Sequence, residues 1–194
     1  MISSDLEQSK RRIRADKKRA RRQLAPSQQK RASQQLCKRI ASSLTFITAQ
    51  RVALYWPMGG EISPLPLLKH PTARHKQWYL PVIDGENMQF FRLKPGDRLQ
   101  HNPFGIAEPE HRQVLPIAGW QLDMVIVPLV AFDPQRNRLG MGGGFYDRYF
   151  ALRPGVIKRP ILMGVAHECQ RAEKLPLEPW DVPLQNIATD QRWY

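Results

Sequence analysis

Between Val125 and Tyr149 the chain reads VIVPLVAFDPQRNRLGMGGGFYDRY, and few architectures can use such a stretch. Val125 to Phe132 is an apolar, β-rich run of the kind a strand buried on both faces requires. Asp133-Pro134 breaks the ladder, and Arg136, Asn137 and Arg138 supply a polar turn. Gly140, Gly142, Gly143 and Gly144 follow, and then Phe145 to Phe150 has the pattern of a helix start. A strand, a glycine loop and a helix start present bare backbone N–H groups to an anion. Glycine permits close approach and positive φ, while Arg138 and Arg148 on either side offer charge-assisted contacts to phosphate. No Gly-Lys-Ser/Thr follows, so this is not a Walker A loop. Phe145 stands where the dinucleotide fingerprint needs its third glycine. From the residues alone, an anion site and a tight surface turn both remain open.

The rest of the chain supplies an α/β frame for that stretch. Residues 5–23 read as a helix with basic faces, ended by Ala25-Pro26. Ser27 is the expected N-cap of a second helix reaching about residue 44, with Ala32, Leu36, Ile40 and Leu44 as its apolar stripe and Cys37 as core filler. Arg51 to Trp56 reads as the first strand, and Pro57-Met58-Gly59-Gly60 carries Glu61 just beyond its end, where α/β sheets bind ligands. Ser63 to Lys69 has room for a short helix. Strands at 77–83 and 88–93 flank Asp84-Gly85, a hairpin signal. Residues 94–122 read as a long functional loop in which His101, Phe104 and Ile106 are candidate pocket-wall residues. Ile161 to Ala166 is a second buried strand and Asn186 to Thr189 a short last one. His167, Glu168 and Cys169 follow the buried strand, but adjacent strand residues point to opposite faces, which argues against joint catalysis. The expected fold is a single three-layer α/β domain over residues 1–194. Its sheet is mainly parallel or mixed, and residues 1–45 form an N-terminal helical hairpin packed on it.

Charge and cysteine usage narrow the function. With 194 residues the chain can bury a sizeable core, and it has neither an apolar run of bilayer length nor a signal-peptide h-region. Cys37 and Cys169 are the only cysteines and lack metal-ligand spacing. Both read as reduced thiols of a cytoplasmic protein. The formal charge is +13, with nine basic residues and one acid, Asp16, between Lys10 and Arg22. Such a run suits either non-specific binding to nucleic-acid phosphates or a solvated helix face.

The run Arg138-Leu139-Gly140-Met141-Gly142-Gly143-Gly144-Phe145-Tyr146-Asp147-Arg148 resembles the signature of the 5-formyltetrahydrofolate cyclo-ligase family, also called methenyltetrahydrofolate synthetases. The likeness covers nearly the whole chain. Lys10 to Arg14 is similar to the family's Lys-x-x-Leu-Arg, with Ile13 in place of leucine. Glu61 has the family's spacing after the first strand. Phe104-Gly105-Ile106 with Glu108-Pro109, Leu175-Pro176, and Trp180 to Leu184 fall in the family's order. The glycine signature is specific, and the other segments gain weight from their sequence.

The resemblance implies an ATP- and magnesium-dependent enzyme acting on 5-formyltetrahydrofolate, polyglutamylated or not, as a monomer. Lys10, one helical turn from Arg14, would clamp ATP phosphates within the segment Lys10, Arg11, Arg12, Ile13 and Arg14. The remaining basic residues of that helix would face solvent or form an incidental polyanion patch. Arg138, Leu139, Gly140, Met141, Gly142, Gly143, Gly144, Phe145 and Tyr146 would cradle the phosphates from the other side. Arg138 and Arg148 are the expected catalytic cations. Asp147, with Asp181 second, is the expected magnesium ligand. Glu61 and Trp56 would contact the folate, and Trp56 or Phe145 would stack on a flat ring. Two alternatives remain: a basic nucleic-acid-binding module, which leaves the glycine loop without a role, and a different ATP-dependent ligase, which uses the loop but rejects the folate.

Overall fold

The computed structural model describes residues 2–94, 96–102, 105–110, 115–151 and 159–194. Helix α1 (Ile2–Arg22) is followed by α2 (Pro26–Ala41) and the short α3 (Leu44–Thr48). The main sheet uses β1 (Arg51–Ala53), β2 (Gln77–Asp84), β3 (Asn87–Leu93), β6 (Met124–Pro128), β9 (Ile161–Ala166) and β10 (Asn186–Thr189). Two small ribbons complete the strands: β4 (Leu99–His101) with β5 (Ala107–Pro109), and β7 (Ala131–Phe132) with β8 (Arg138–Leu139). Helix α4 (Phe145–Phe150) lies between β8 and β9.

The six main strands stand in the order β10-β9-β6-β1-β2-β3. Pairing is parallel from β10 through β2, with Val52 of β1 opposite Trp78 and Met124. Only β3 runs antiparallel, joined to β2 by the tight turn at Gly85 (φ +58°). Helices cover both faces, because parallel strands alternate two apolar sets. On one face Leu36 and Ile40 of α2 and Phe46 of α3 meet Val52, Leu80, Ile126 and Met163. On the other, Tyr146, Tyr149 and Phe150 of α4 meet Val125, Val127 and Phe90. Helix α1 instead crosses the end of the sheet, lying against β7 and the 3-10 turn Glu168–Gln170. The N-terminal helical region therefore divides its contacts between sheet face and sheet edge.

Several boundaries differ from the sequence expectation. Ser27 is not the cap of α2; Pro26 occupies the first helical position, and the Ala25 amide donates to Gln28 Oε1 at 2.8 Å. The helix stops at Ala41, and Ser43 starts α3 by accepting from the Phe46 amide at 3.2 Å. Strand β1 ends at Ala53, although burial continues through Tyr55. The run Val125 to Phe132 is not one strand. After Pro128 the chain leaves the main sheet, and Gln170 Nε2 satisfies the carbonyls of Leu129 and Val130 at 2.8 and 3.0 Å. The stretch 94–122 holds the β4–β5 ribbon, braced by Glu108, whose Oε1 accepts from Ile83 N and Asn102 Nδ2. Phe104 lies outside the described residues.

Candidate functional site

The parallel strands end together along one edge, and the connections leaving that edge carry most of the expected site residues. From β1 comes the turn to Glu61; from β6 come the β7–β8 ribbon and the glycine loop; from β9 comes His167. Asp133 builds the ribbon. It is fully buried, and its carboxylate accepts from the amides of Gln135, Asn137 and Leu175 and from Asn137 Nδ2. That turn, with Arg136 at φ +69°, sends Arg138 back into the protein, where it is 8% exposed. Its guanidinium grips Asp147 Oδ1 at 2.7 and 3.1 Å, and the Val182 amide donates to the same oxygen at 3.0 Å. The glycine loop is thereby tied at its start and at the first turn of α4.

Helix α1 brings cations onto this edge from one face, at positions 10, 14, 17 and 21. Lys10 is buried, with its ammonium 3.5 Å from Asp181 and 3.8 Å from Glu178. Arg14 Nε donates to the Gly140 carbonyl at 3.0 Å, and its Nη1 reaches Glu7. Lys17 donates to the carbonyls of Cys169 and Arg171. Arg21, 2% exposed, donates from Nε to the Gly59 carbonyl at 3.1 Å and stands 3.6 Å from Glu61 Oε1. Of the residues expected to face solvent or form an incidental polyanion patch, Arg21 is buried and Lys17 is half-buried. Their signal was the recurrence of basic residues every three or four positions, which continues past Arg14 to the end of the helix. Arg11 and Arg12 do face outward, whereas Ile13 packs on Ala131, Leu139 and Leu175 and seats the helix.

Glu61 sits in the turn after β1, beside Arg21. Its Oε2 accepts from the Met58 amide at 3.1 Å. Burial pushes its carboxyl above the ordinary glutamate range, against the Met58 amide, Arg21 and Lys18, which favour the charged form. Tyr146 links the two halves. Burial and then Glu61 raise its phenol, while Arg138 acts the other way, so both charges are felt at one hydroxyl. Trp56 is half-buried against the core on the α2 side.

Arg148 takes another direction. It donates to the carbonyls of Gly143 at 2.7 Å and Glu86 at 3.4 Å, and lies over the Phe145 ring at 5.1 Å. With Phe145, Tyr149 and Trp120 it lines a cleft of about 610 Å³ beside α4. The cleft and the charged edge are neighbours that meet at the start of α4; Lys10, Arg14, Arg138 and Glu61 do not line the cleft. The cations of α1 and Arg138 gather at the edge rather than in the cleft.

Among the described residues no three His, Cys, Asp or Glu side chains cluster as a metal-binding group. Magnesium does not require one, since it takes one or two carboxylates plus substrate oxygens and waters. The bonds to Asp147 use Oδ1, and those to Asp181, from Lys10 and the Glu178 amide, use Oδ2. Each carboxylate keeps its other oxygen, and the two flank one stretch of backbone, so this donor set fits a magnesium ion. His167 follows β9, and Glu168 and Cys169 lie in the 3-10 turn Glu168–Gln170, so strand alternation does not govern these three residues. Glu168 is engaged by Thr189, Tyr194 and Arg192, while His167 is buried with neither ring nitrogen hydrogen-bonded. No described helix is long and apolar enough to cross a membrane.

Known proteins share the sequence and the fold of this chain. The profile of the 5-formyltetrahydrofolate cyclo-ligase family matches residues 6–190. The 5-formyltetrahydrofolate cyclo-ligase of Escherichia coli K12 is 39% identical over 177 residues, covering 89% of this chain and 95% of that protein. The Haemophilus influenzae protein of the same name is 39% identical over 185 residues, covering 93% and 97%. The solution structure of Aquifex aeolicus 5,10-methenyltetrahydrofolate synthetase superposes with a TM-score of 0.81 at 30% identity, over 95% of this chain and 91% of that one.

Proposed function

The chain belongs to the 5-formyltetrahydrofolate cyclo-ligase family, and from that membership we propose that it converts 5-formyltetrahydrofolate and ATP to 5,10-methenyltetrahydrofolate, ADP and phosphate. The observation that carries this reading is the convergence of Lys10 and Arg14 from α1 with Arg138 and the Gly140–Gly144 loop. Arg14 lies against the loop at the Gly140 carbonyl, and Lys10 stands one turn away, paired with Asp181 and Glu178. That is the arrangement phosphoryl transfer needs, since such chemistry depends on positioning and charge neutralisation rather than on a protein nucleophile.

The substrate's chemistry sets the order of events. The formyl group is an amide of nitrogen 5, so its oxygen leaves poorly when nitrogen 10 attacks. Transfer of the γ-phosphoryl group to that oxygen makes it a leaving group. Nitrogen 10 then closes the five-membered ring and phosphate departs. Lys10 and Arg14 bind the phosphates, the loop amides orient them, and Arg138, fixed by Asp147, balances charge at the transferring group. Asp147 and Asp181 would hold magnesium, which supplies further charge neutralisation on the phosphate oxygens when bound. Glu61 accepts hydrogen bonds from the pterin N–H groups or from the amine at nitrogen 10, and Trp56 contacts the same folate.

The test is direct. Purified protein with 5-formyltetrahydrofolate and Mg·ATP should show growing methenyltetrahydrofolate absorbance, and omission of ATP should stop it. Glu61→Gln should raise KM for the folate while leaving that for ATP nearly unchanged. No ATP-dependent absorbance change would sink the assignment, and a Glu61→Gln defect confined to ATP would remove Glu61 from the folate site.

A further inference from the structure

Arg21 is the most deeply buried cation among the described residues, and the phosphate clamp makes no use of it. It lies two to three turns beyond Lys10 and Arg14 on the same face of α1, directed not at the glycine loop but at the turn between β1 and Glu61. Its Nε donates to Gly59 O at 3.1 Å. Gly59 and Gly60 have φ of +54° and +79° in succession, a conformation that glycine alone adopts freely. The turn is closed by Glu61 N donating to Met58 O at 3.0 Å and Met58 N donating to Glu61 Oε2 at 3.1 Å. So one carboxylate oxygen belongs to the turn, and the other, Oε1, faces Arg21 Nη1 at 3.6 Å.

That last contact is unfinished. A guanidinium this buried is costly unless paired and hydrogen-bonded, yet Nη1 is fully buried with no hydrogen-bond partner. A purely structural Arg–carboxylate pair would close to a forked, hydrogen-bonded geometry. Here the guanidinium holds the backbone of the turn firmly and the carboxylate loosely, near enough for charge compensation and far enough for Oε1 to turn toward a ligand. We propose that Arg21 is the positioning residue for Glu61, fixing the Gly59-Gly60 turn and setting where the carboxylate points. The inference rests on the reading of Glu61 as the folate contact.

The groups facing Glu61 come from every element around it. Arg21 and Lys18 approach from α1, Tyr55 from the end of β1, Tyr146 from α4, and the Met58 amide from the turn itself. His167, beyond β9, feels Arg21 and the Gly60 carbonyl. Burial already favours the neutral acid, and Arg21 with Lys18 opposes it. Loss of the Arg21 charge therefore moves Glu61 ionisation to higher pH.

The experiment measures both KM values and the pH profile of kcat/KM for the folate, on the full-length protein. Arg21→Met should raise KM for 5-formyltetrahydrofolate about 10- to 100-fold with KM for ATP within about twofold. It should also move the acid limb of the profile to higher pH. Glu61→Gln should abolish that limb, and adding Arg21→Met to it should cost little more. Arg21→Lys keeps the charge without the fork, so the limb should return to its wild-type position with part of the folate KM recovered. Equal rises in both KM values, or an unmoved limb, would overturn the proposal. Should Arg21→Met fail to fold, Arg21→Lys decides: a raised folate KM at unchanged ATP KM supports the proposal, and wild-type behaviour overturns it. If Glu61→Gln raises the folate KM and the Arg21 variants do not, this inference fails alone. An unchanged folate KM in Glu61→Gln removes the underlying reading and this inference with it.

Discussion

Single residues of the glycine loop act for different reasons. Gly144 sits at φ +63°, and a Cβ there would come within 2.8 Å of Arg148 Nη1. Gly144→Ala should therefore lose about 1–2 kcal/mol of stability from the left-handed backbone alone and weaken Mg·ATP binding. Thermal melting and titration calorimetry check both, and an unchanged melting temperature with normal affinity would contradict the conformational argument. Gly143 is different, because a Cβ there meets the Phe145 ring at 2.7 and 2.9 Å. A side chain at 143 therefore displaces Phe145. His167 offers a test by pH. Burial lowers its pKa, Asp190 and the Gly60 carbonyl resist that, and Arg21 adds to it. The unfolded chain takes up this proton near pH 6.5, whereas the folded protein resists until lower pH. The neutral histidine thus contributes fully above about 6.5, and its contribution is lost as pH falls through the folded value. Urea midpoints at pH 7.5 and 5.5 should fall further for the wild type than for His167→Asn; equal falls would refute it.

At the scale of elements, α1 is the part whose role changed most between sequence and structure. A helix with nine basic residues in thirteen positions looks like a solvated face. Instead Lys10, Arg14, Lys17 and Arg21 stitch it across the sheet edge, through Asp181, Gly140, the Cys169 and Arg171 carbonyls, and Gly59. Its outer cations have no such partners in the site. Arg14→Ala should weaken ATP binding by about 1–3 kcal/mol, the range for a charged hydrogen bond. Arg22→Ala, on the exposed side, should leave ATP affinity at the wild-type value in the same calorimetric titration. Equal losses at both positions would turn the helix into a diffuse polyanion surface. The β7–β8 ribbon is the second such element: it turns Arg138 inward, and Asp147 then serves the arginine as well as any metal.

For the whole molecule, stability rests on two apolar layers around one sheet. Leu36 is fully buried between α2 and the strands, so Leu36→Ala should cost about 2–5 kcal/mol, read as a lower urea midpoint with both KM values unchanged. Leu44, 74% exposed, should tolerate alanine to within about 0.5 kcal/mol. A small loss at Leu36 would show that the α2 layer is dispensable. Much of this frame was legible in the chain, because the signals are local. The hairpin at Gly85, the buried strands at 161–166 and 186–189, the stripe Leu36–Ile40 and the glycine loop each depend on residues within a few positions of one another. The loop's sequence was also specific enough to carry the family. Contacts across the fold were not legible. Arg138 meets Asp147 and Val182, Arg21 meets Gly59 and Glu61, and Lys10 meets Asp181 across 171 positions. Whether a cation faces water or a carboxylate depends on which strand ends lie side by side, and strand order is a property of the sheet. The break after Pro128 has the same origin, since an apolar run looks alike to local rules whether it continues in the main sheet or leaves it. The chain by itself determined which elements form and that one loop, between a buried strand and a helix start, is crowded with glycine. The tertiary structure decided which charges that loop is given, because burial and pairing are set by neighbours far apart in sequence.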